Sequence, residues 1–196
     1  MLKNVFSFRN KDTFGEDELW SKYKNGDQWA LSVLFKNYFD QLYLYGMNLI
    51  GNEGLVKDSI QMLFFRLWQN RESIAIPDSI PAYLFVSLRR IILRKKRREQ
   101  ARYTRNAQYL EYEIDQTFSI EEVLIMEEER EEQIQLYQEA LKSLTPRQRE
   151  ALLLRTNSGM KNQEIAQIMD ISDKRVRNLM YEARKQLEKR IYELTE

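Results

Sequence analysis

Between Arg89 and Arg105, nine of seventeen side chains are cationic: Arg89, Arg90, Arg94, Lys95, Lys96, Arg97, Arg98, Arg102 and Arg105, set against the carboxylate of Glu99. Guanidinium and ammonium groups at this density suit a polyanion, because each phosphate they neutralise displaces counterions. A second candidate runs from Ser172 to Lys185. On a helical wheel Lys174, Asn178, Tyr181 and Lys185 share one side, flanked by Arg175 and Arg177. Val176, Leu179, Met180, Ala183 and Leu187 form the apolar stripe opposite. Such a face suits a DNA major groove: Arg and Lys hydrogen-bond guanine, Asn bonds adenine bidentately, and flanking cations hold phosphates. Other reactive chemistry is scarce. The 196 residues contain no histidine and no cysteine. The usual zinc, haem, iron–sulfur, disulfide, Cys-nucleophile and Ser-His chemistries therefore lack ligands or attackers. Carboxylate pairs such as Glu121 and Glu122 are the remaining magnesium candidates, but they sit in a charge run without an apolar pocket signal. No catalytic, cofactor-binding or metal-binding residue is nominated.

The formal net charge of +1 conceals opposing blocks. Residues 111–132 hold ten carboxylates against Arg130 alone, and residues 142–196 return to twelve basic side chains against eight acidic. Two cationic regions separated by an anionic one point to two nucleic-acid-facing modules whose connector is repelled by that nucleic acid. Six glycines, three prolines and abundant Leu, Ile, Glu, Gln, Lys and Arg predict helices throughout. Apolar spacing of three and four predicts a helix from Asp27 to Gly51 and another from about Leu55 to Gln69. A short helix is expected at Glu16 to Lys24, a loop from Asn70 to Pro81, and a long helix from about Ala82 into the basic run. Periodicity fades from about Ala101 to Thr117. Ser119 with Glu122 then reads as a capping box opening a helix to about Leu144, and Thr145-Pro146-Arg147-Gln148 repeats the signal. From Lys161 to Leu187 the pattern is helix, short turn, helix, with Asp170-Ile171-Ser172 as the turn and Ser172 capping the second helix.

The run Gly159…Glu164-Ile165-Ala166…Ile171-Ser172…Val176-Arg177…Ala183…Leu187, preceded by Leu144…Pro146…Arg149, resembles the C-terminal domain of bacterial RNA polymerase sigma factors. The stretch Asp58-Ser59-Ile60-Gln61…Phe64…Leu67-Trp68, followed by Tyr83-Leu84…Ser87-Leu88-Arg89 and a basic helix, is similar to the sigma domain that binds the polymerase clamp and melts DNA. Together the matches span roughly Asp27 to Ile191. The short length, with no further domain between the halves, resembles the extracytoplasmic-function (ECF) group of the sigma-70 family.

The resemblance implies an all-α protein of two small helical domains joined by a linker, the C-terminal one a helix-turn-helix. Residues 15–100 would form the region 2-like domain, 101–118 the linker and 119–196 the region 4-like domain. Asp58, Gln61 and Met62 would meet core polymerase. Arg89, Arg90, Arg94, Lys95, Arg97 and Arg98, with Asn70 and Arg71 of the preceding loop, would meet the minus-ten region. Ser172, Lys174, Arg175, Arg177, Asn178, Tyr181 and Lys185 would read the minus-thirty-five element. Phe64 and Trp68 are expected in the core. The implied partners are core RNA polymerase, promoter DNA and an anti-sigma factor, with no cofactor. Met1 to Phe14 lacks the continuous apolar core of a signal peptide, and no run of about 18 apolar residues follows, so a cytoplasmic protein without direct membrane insertion is expected. The alternative reading is a stand-alone helix-turn-helix regulator acting without polymerase.

Overall fold

In the computed structural model, residues 15–106 and 139–195 are described. The chain divides into two compact units, Met1–Gln116 and Thr117–Glu196, and every described element is helical or a connection between helices.

The first unit contains α1 (Glu16–Lys24), α2 (Gln28–Ile50), α3 (Glu53–Gln69) and α4 (Ile80–Asn106). Local chemistry sets their ends. The Asp27 carboxylate accepts from the N–H groups of Trp29 and Ala30 at 2.9 and 3.3 Å, opening α2. Gly51 closes α2 in the left-handed region at φ 61°. The Asn52 side chain accepts from Leu55 N–H at 2.9 Å, so α3 begins before the apolar pattern that predicts Leu55. The loop ahead of α4 is also shorter than expected. Ser79 Oγ accepts from Ala82 N–H at 3.3 Å, and Pro81 lies inside the first turn, where its missing N–H is one that would have had no helical partner. At its other end α4 continues to Asn106, past the linker start predicted at Ala101. Gln100 to Asn106 contains neither glycine nor proline to stop the helix.

Helix α2 packs against α1, α3 and α4, and α3 packs against α4. Leu34, Leu42, Tyr45, Ile60, Leu67, Leu84, Phe85, Leu88 and Ile92 are fully buried between them. Phe64 is buried as expected, while Trp68 is half-buried at the edge. Aromatic contacts join the elements: Trp20 to Tyr83 edge-on at 5.8 Å between centroids, Tyr45 to Phe85 at 5.1 Å, and Phe35 to Phe64 edge-on at 5.0 Å. Two hydroxyls hold α1. Tyr38 Oη donates to Glu16 Oε1 at 3.0 Å, and Tyr23 Oη donates to the Leu67 carbonyl. Burial pushes the Tyr23 phenol pKa well above the ordinary tyrosine value, with Tyr83 adding to the rise and Arg71 opposing it.

In the second unit residues 139–142 are helical, and α5 (Pro146–Thr156), α6 (Asn162–Met169) and α7 (Asp173–Thr195) follow. The Ser119–Glu122 cap, most of the helix predicted to Leu144, and Glu121 with Glu122 lie outside the described residues. The Thr145 cap is as the sequence predicts: Gln148 N–H donates to Thr145 Oγ1 at 3.3 Å, and Thr145 N–H donates to Gln148 Oε1 at 2.9 Å. Ala140, Leu144, Ala183 and Leu187 form a buried cluster against which Leu141, Leu152 and Ile191 pack. Among the described residues no helix is long and apolar enough to cross a membrane.

Candidate nucleic-acid interface

Helices α6 and α7 are set by their turn. Ile165, Ala166, Ile168 and Met169 bury one side of α6. Asp170 then takes a left-handed conformation, φ 56°, and Ile171 N–H donates back to the Ala166 carbonyl at 3.0 Å. Three residues thus separate the helices. Ser172 Oγ accepts from Arg175 N–H at 3.2 Å, the cap its position predicts. The hydroxyl hydrogen of Ser172 remains available to a phosphate.

Two further ties orient α7. Gln148, buried on α5, donates through Nε2 to Glu182 at 3.4 Å, and Gln186 Nε2 donates to the Ser143 carbonyl at 2.9 Å. Arg149 fixes the connection below them. Its Nε donates to the Leu141 carbonyl at 3.3 Å, and its terminal nitrogen donates to those of Lys142 and Leu144 at 3.3 and 3.1 Å. The Leu141 carbonyl also accepts from Leu144 N–H at 3.2 Å, and the guanidinium adds a charged donor to this helix end. Partial burial lowers the Arg149 pKa, a guanidinium still charged throughout. Arg155 donates to Asn162 Oδ1, joining α5 to α6.

With Val176, Leu179, Ala183 and Leu187 buried, α7 presents Lys174, Arg175, Arg177, Asn178, Tyr181 and Lys185 on its open side, and Ser172 is exposed at its start. Tyr181 is 70% exposed. All seven residues that the sequence nominates for this surface are therefore accessible and contiguous. Sequence reading missed Asp173, whose carboxylate pairs with Arg177 one turn on. The i to i+4 spacing was the available signal. Lys174, Arg175 and Lys185 have no ion-pair partner among the described residues.

In the first unit the basic run of α4 is not one face. At about 100° per residue, Arg90, Arg94, Arg97 and Arg98 fall within a single arc of about 100°, and all four are exposed. Arg89 and Lys95 lie off that arc and are half-buried. In the loop, Asn70 is exposed and caps α3, its Nδ2 donating to the Arg66 carbonyl at 2.9 Å. Arg71 is more committed: its guanidinium lies 4.7 Å from the Trp68 ring centroid, donates to the Trp68 carbonyl at 3.0 Å and pairs with Glu72 at 3.3 Å. Ile76, at 60% exposure, is the open apolar tip of this loop. On the outer side of α3, Asp58 and Gln61 are exposed and Met62 half-buried, and they share a stripe with Phe65, which is 60% exposed. Phe65 was legible in principle: Val56, Ile60, Leu63, Phe64 and Leu67 complete the inward stripe, which turns the next residue outward.

Residues 134–187 match the family model described as Sigma-70, region 4. The match falls within the second unit and takes in α5, α6 and the first part of α7. Solved structures share the fold of the chain. One is CnrH, solved in complex with the cytosolic domain of CnrY: 19% identity, TM-score 0.58, covering 88% of this chain and 94% of that one. Another is the sigma factor RpoE, solved with the anti-sigma factor NepR from Bartonella quintana: 21% identity, TM-score 0.60, covering 86% of this chain and 98% of that one. No curated protein matches the chain in sequence.

Proposed function

We propose that this chain is an alternative sigma factor of the ECF group, which directs core RNA polymerase to a restricted set of promoters and helps open them. The observation that carries the reading is the region 4 helix-turn-helix, in which a buried stripe on α7 leaves Lys174, Arg175, Arg177, Asn178, Tyr181 and Lys185 open together. In this reading α7 enters the major groove of the minus-thirty-five element. Asn178 and the cations of its face meet base edges, while Ser172 and Lys185 hold phosphates.

The N-terminal unit, residues 15–100, takes the region 2 role. Arg90, Arg94, Arg97 and Arg98 lie along phosphates of the minus-ten region, with Arg89 and Lys95 at the margins. Asn70 and the loop tip face the opened strands. Arg71 acts beneath them, as a support for the loop. Asp58, Gln61 and Met62, joined by Phe65, dock on core polymerase: an apolar centre rimmed by polar groups is what such a contact requires. Residues 101–118 belong to the connector, whose acidic continuation is disfavoured beside DNA and suited to a cationic channel.

The proposed role needs no chemistry from this chain, since phosphodiester bond formation belongs to the polymerase, and it places the protein in the cytoplasm with that enzyme. The RpoE that shares its fold is held by an anti-sigma factor, and an anti-sigma partner is proposed here by analogy.

The test is initiation. Wild-type chain, sigma-free core polymerase and a random promoter library are mixed, and transcript start sites are sequenced. Starts at a shared two-part motif are expected. Transcription unchanged by addition of the chain would refute the reading. Within the motif, Asn178→Ala should relax preference at one upstream base pair, and Lys185→Ala should lower affinity for all sequences alike.

A further inference from the structure

Asp173 is the one carboxylate in the first two turns of α7, where the other exposed side chains are cationic or neutral; the next, Glu182, accepts from Gln148 of α5. Asp173 occupies the first position of α7, its neighbours Lys174, Arg175, Arg177 and Asn178 are cationic or neutral, and its side chain pairs with Arg177. It is not needed as the helix cap, because Ser172 Oγ already accepts from Arg175 N–H at 3.2 Å. Nor does stability account for it: both partners are substantially exposed, at 60% for the Arg177 side chain and 36% for Asp173, and pairs of that kind contribute little.

We infer that Asp173 is a specificity-determining residue that converts Arg177 from a phosphate contact into a base contact, an inference that rests on the promoter-reading role proposed for α7. An unpaired arginine beside DNA is captured by the nearest phosphate, which carries no sequence information. Asp173 opposes this in two ways. Its charge repels the phosphates on its side of the helix. It also holds the guanidinium at the first turn of α7, the part of a recognition helix that meets base edges. A guanidinium has five N–H donors, so pairing with one carboxylate leaves enough for the O6 and N7 acceptors of a guanine. The arrangement favours discrimination over raw affinity.

The predicted sign separates this role from a structural one. If Asp173 merely complements the positive end of the helix dipole, its removal lowers the melting temperature of the second unit and weakens binding to every sequence equally. If it directs Arg177, Asp173→Ala and Asp173→Asn tighten binding to random duplex, steepen its log–log salt slope by about one, and lower preference at one upstream base pair by roughly tenfold. Arg177→Ala should lose the same preference, and adding Asp173→Ala to it should change that preference no further.

Two formats read the effect with the full chain: start-site selection with core polymerase, and duplex selection by the chain alone at low salt, each with a thermal melt of the variant. Relaxed preference in duplex selection combined with no initiation by the wild type would refute the sigma-factor reading and leave the role of Asp173 standing. Unaltered preference in Asp173→Ala, a uniform loss of affinity, or no sequence preference by the wild type in either format would overturn the inference.

Discussion

Gly46 tests the close approach of α2, α3 and α4. A Cβ at this position would lie 2.6 Å from Val56 Cγ1, 3.1 Å from Val56 Cγ2 and 3.4 Å from Ile92 Cδ1. Two effects of Gly46→Ala oppose each other. Alanine is favoured over glycine in a helix interior by about 1 kcal/mol, and the added methyl must displace a neighbour. Val56 is fully buried and β-branched, with one strongly preferred rotamer in a helix, so it yields poorly. Overpacking of this kind typically costs about 1 to 3 kcal/mol, and a contact below 3 Å against a rigid partner belongs toward the upper end. The net expectation is destabilisation by about 1 to 2 kcal/mol, which for a unit of this size lowers Tm by roughly 4–8 °C per kcal/mol. Val56→Ala removes both clashing methyls and should cost about 2 kcal/mol on its own. In the double variant the new methyl at 46 fills part of that space, so the two losses should fall short of additive by at least about 1 kcal/mol. The assay is built into the chain: Trp20, Trp29 and Trp68, its three tryptophans, all lie in the first unit. Tryptophan fluorescence during urea or thermal unfolding of the full protein therefore follows that unit selectively. A Gly46→Ala variant more stable than wild type, or strict additivity with Val56→Ala, would refute the packing argument.

Arg149→Ala should destabilise the second unit by about 2 kcal/mol, because three carbonyls lose a charged donor; Arg149→Lys, with a single ammonium, should recover only part of this in a circular-dichroism melt. Asp170→Gly removes a Cβ from a left-handed position and should raise the stability of the second unit by roughly 1 kcal/mol while leaving promoter preference intact. Tyr23→Phe should cost the first unit about 1 to 3 kcal/mol by leaving the Leu67 carbonyl without its donor. The same residue sets a pH dependence. The folded-state pKa of Tyr23 is raised, so its contribution is fully present below the ordinary tyrosine value of about 10 and is lost as pH rises above it, where only the unfolded chain releases the proton. Alkaline unfolding followed by fluorescence should accordingly fall less steeply above pH 10 in Tyr23→Phe than in wild type.

Much of the helical order was legible because it depends on local chemistry. Thr145 with Gln148, Asp27, Gly51 and Ser172 each mark an end through a hydrogen bond or a backbone region that their own residue type dictates. The predicted boundaries that moved did so for identifiable reasons: Pro81 belongs to a first turn, which needs no N–H from it, and Gln100 to Asn106 continues a helix without any apolar pattern to announce it. The face of α7 could be read residue by residue, since a single helix with one buried stripe determines what points away. The first unit was harder. Nine cations in seventeen residues do not reveal which of them share a side until the buried positions Leu84, Leu88, Ile91 and Ile92 fix the rotation of α4, and this separates Arg89 and Lys95 from Arg90, Arg94, Arg97 and Arg98. Contacts distant in sequence were invisible: the three carbonyls held by Arg149, the tie between Tyr23 and Leu67, and the stacking of Arg71 on Trp68 depend on how the chain folds back on itself.

Helix α4 does two jobs in two stretches. From Ile80 to Ile92 it is wedged among its neighbours, and this anchored portion bears the unfavourable step of starting a helix; each later residue then adds a backbone bond at little further expense. The cationic end can therefore change its lettering, one arginine for a lysine or a glutamine, while the scaffold stays whole. Under the promoter role proposed for that outer half, descendants of such a protein could drift toward new sequences there without first risking collapse.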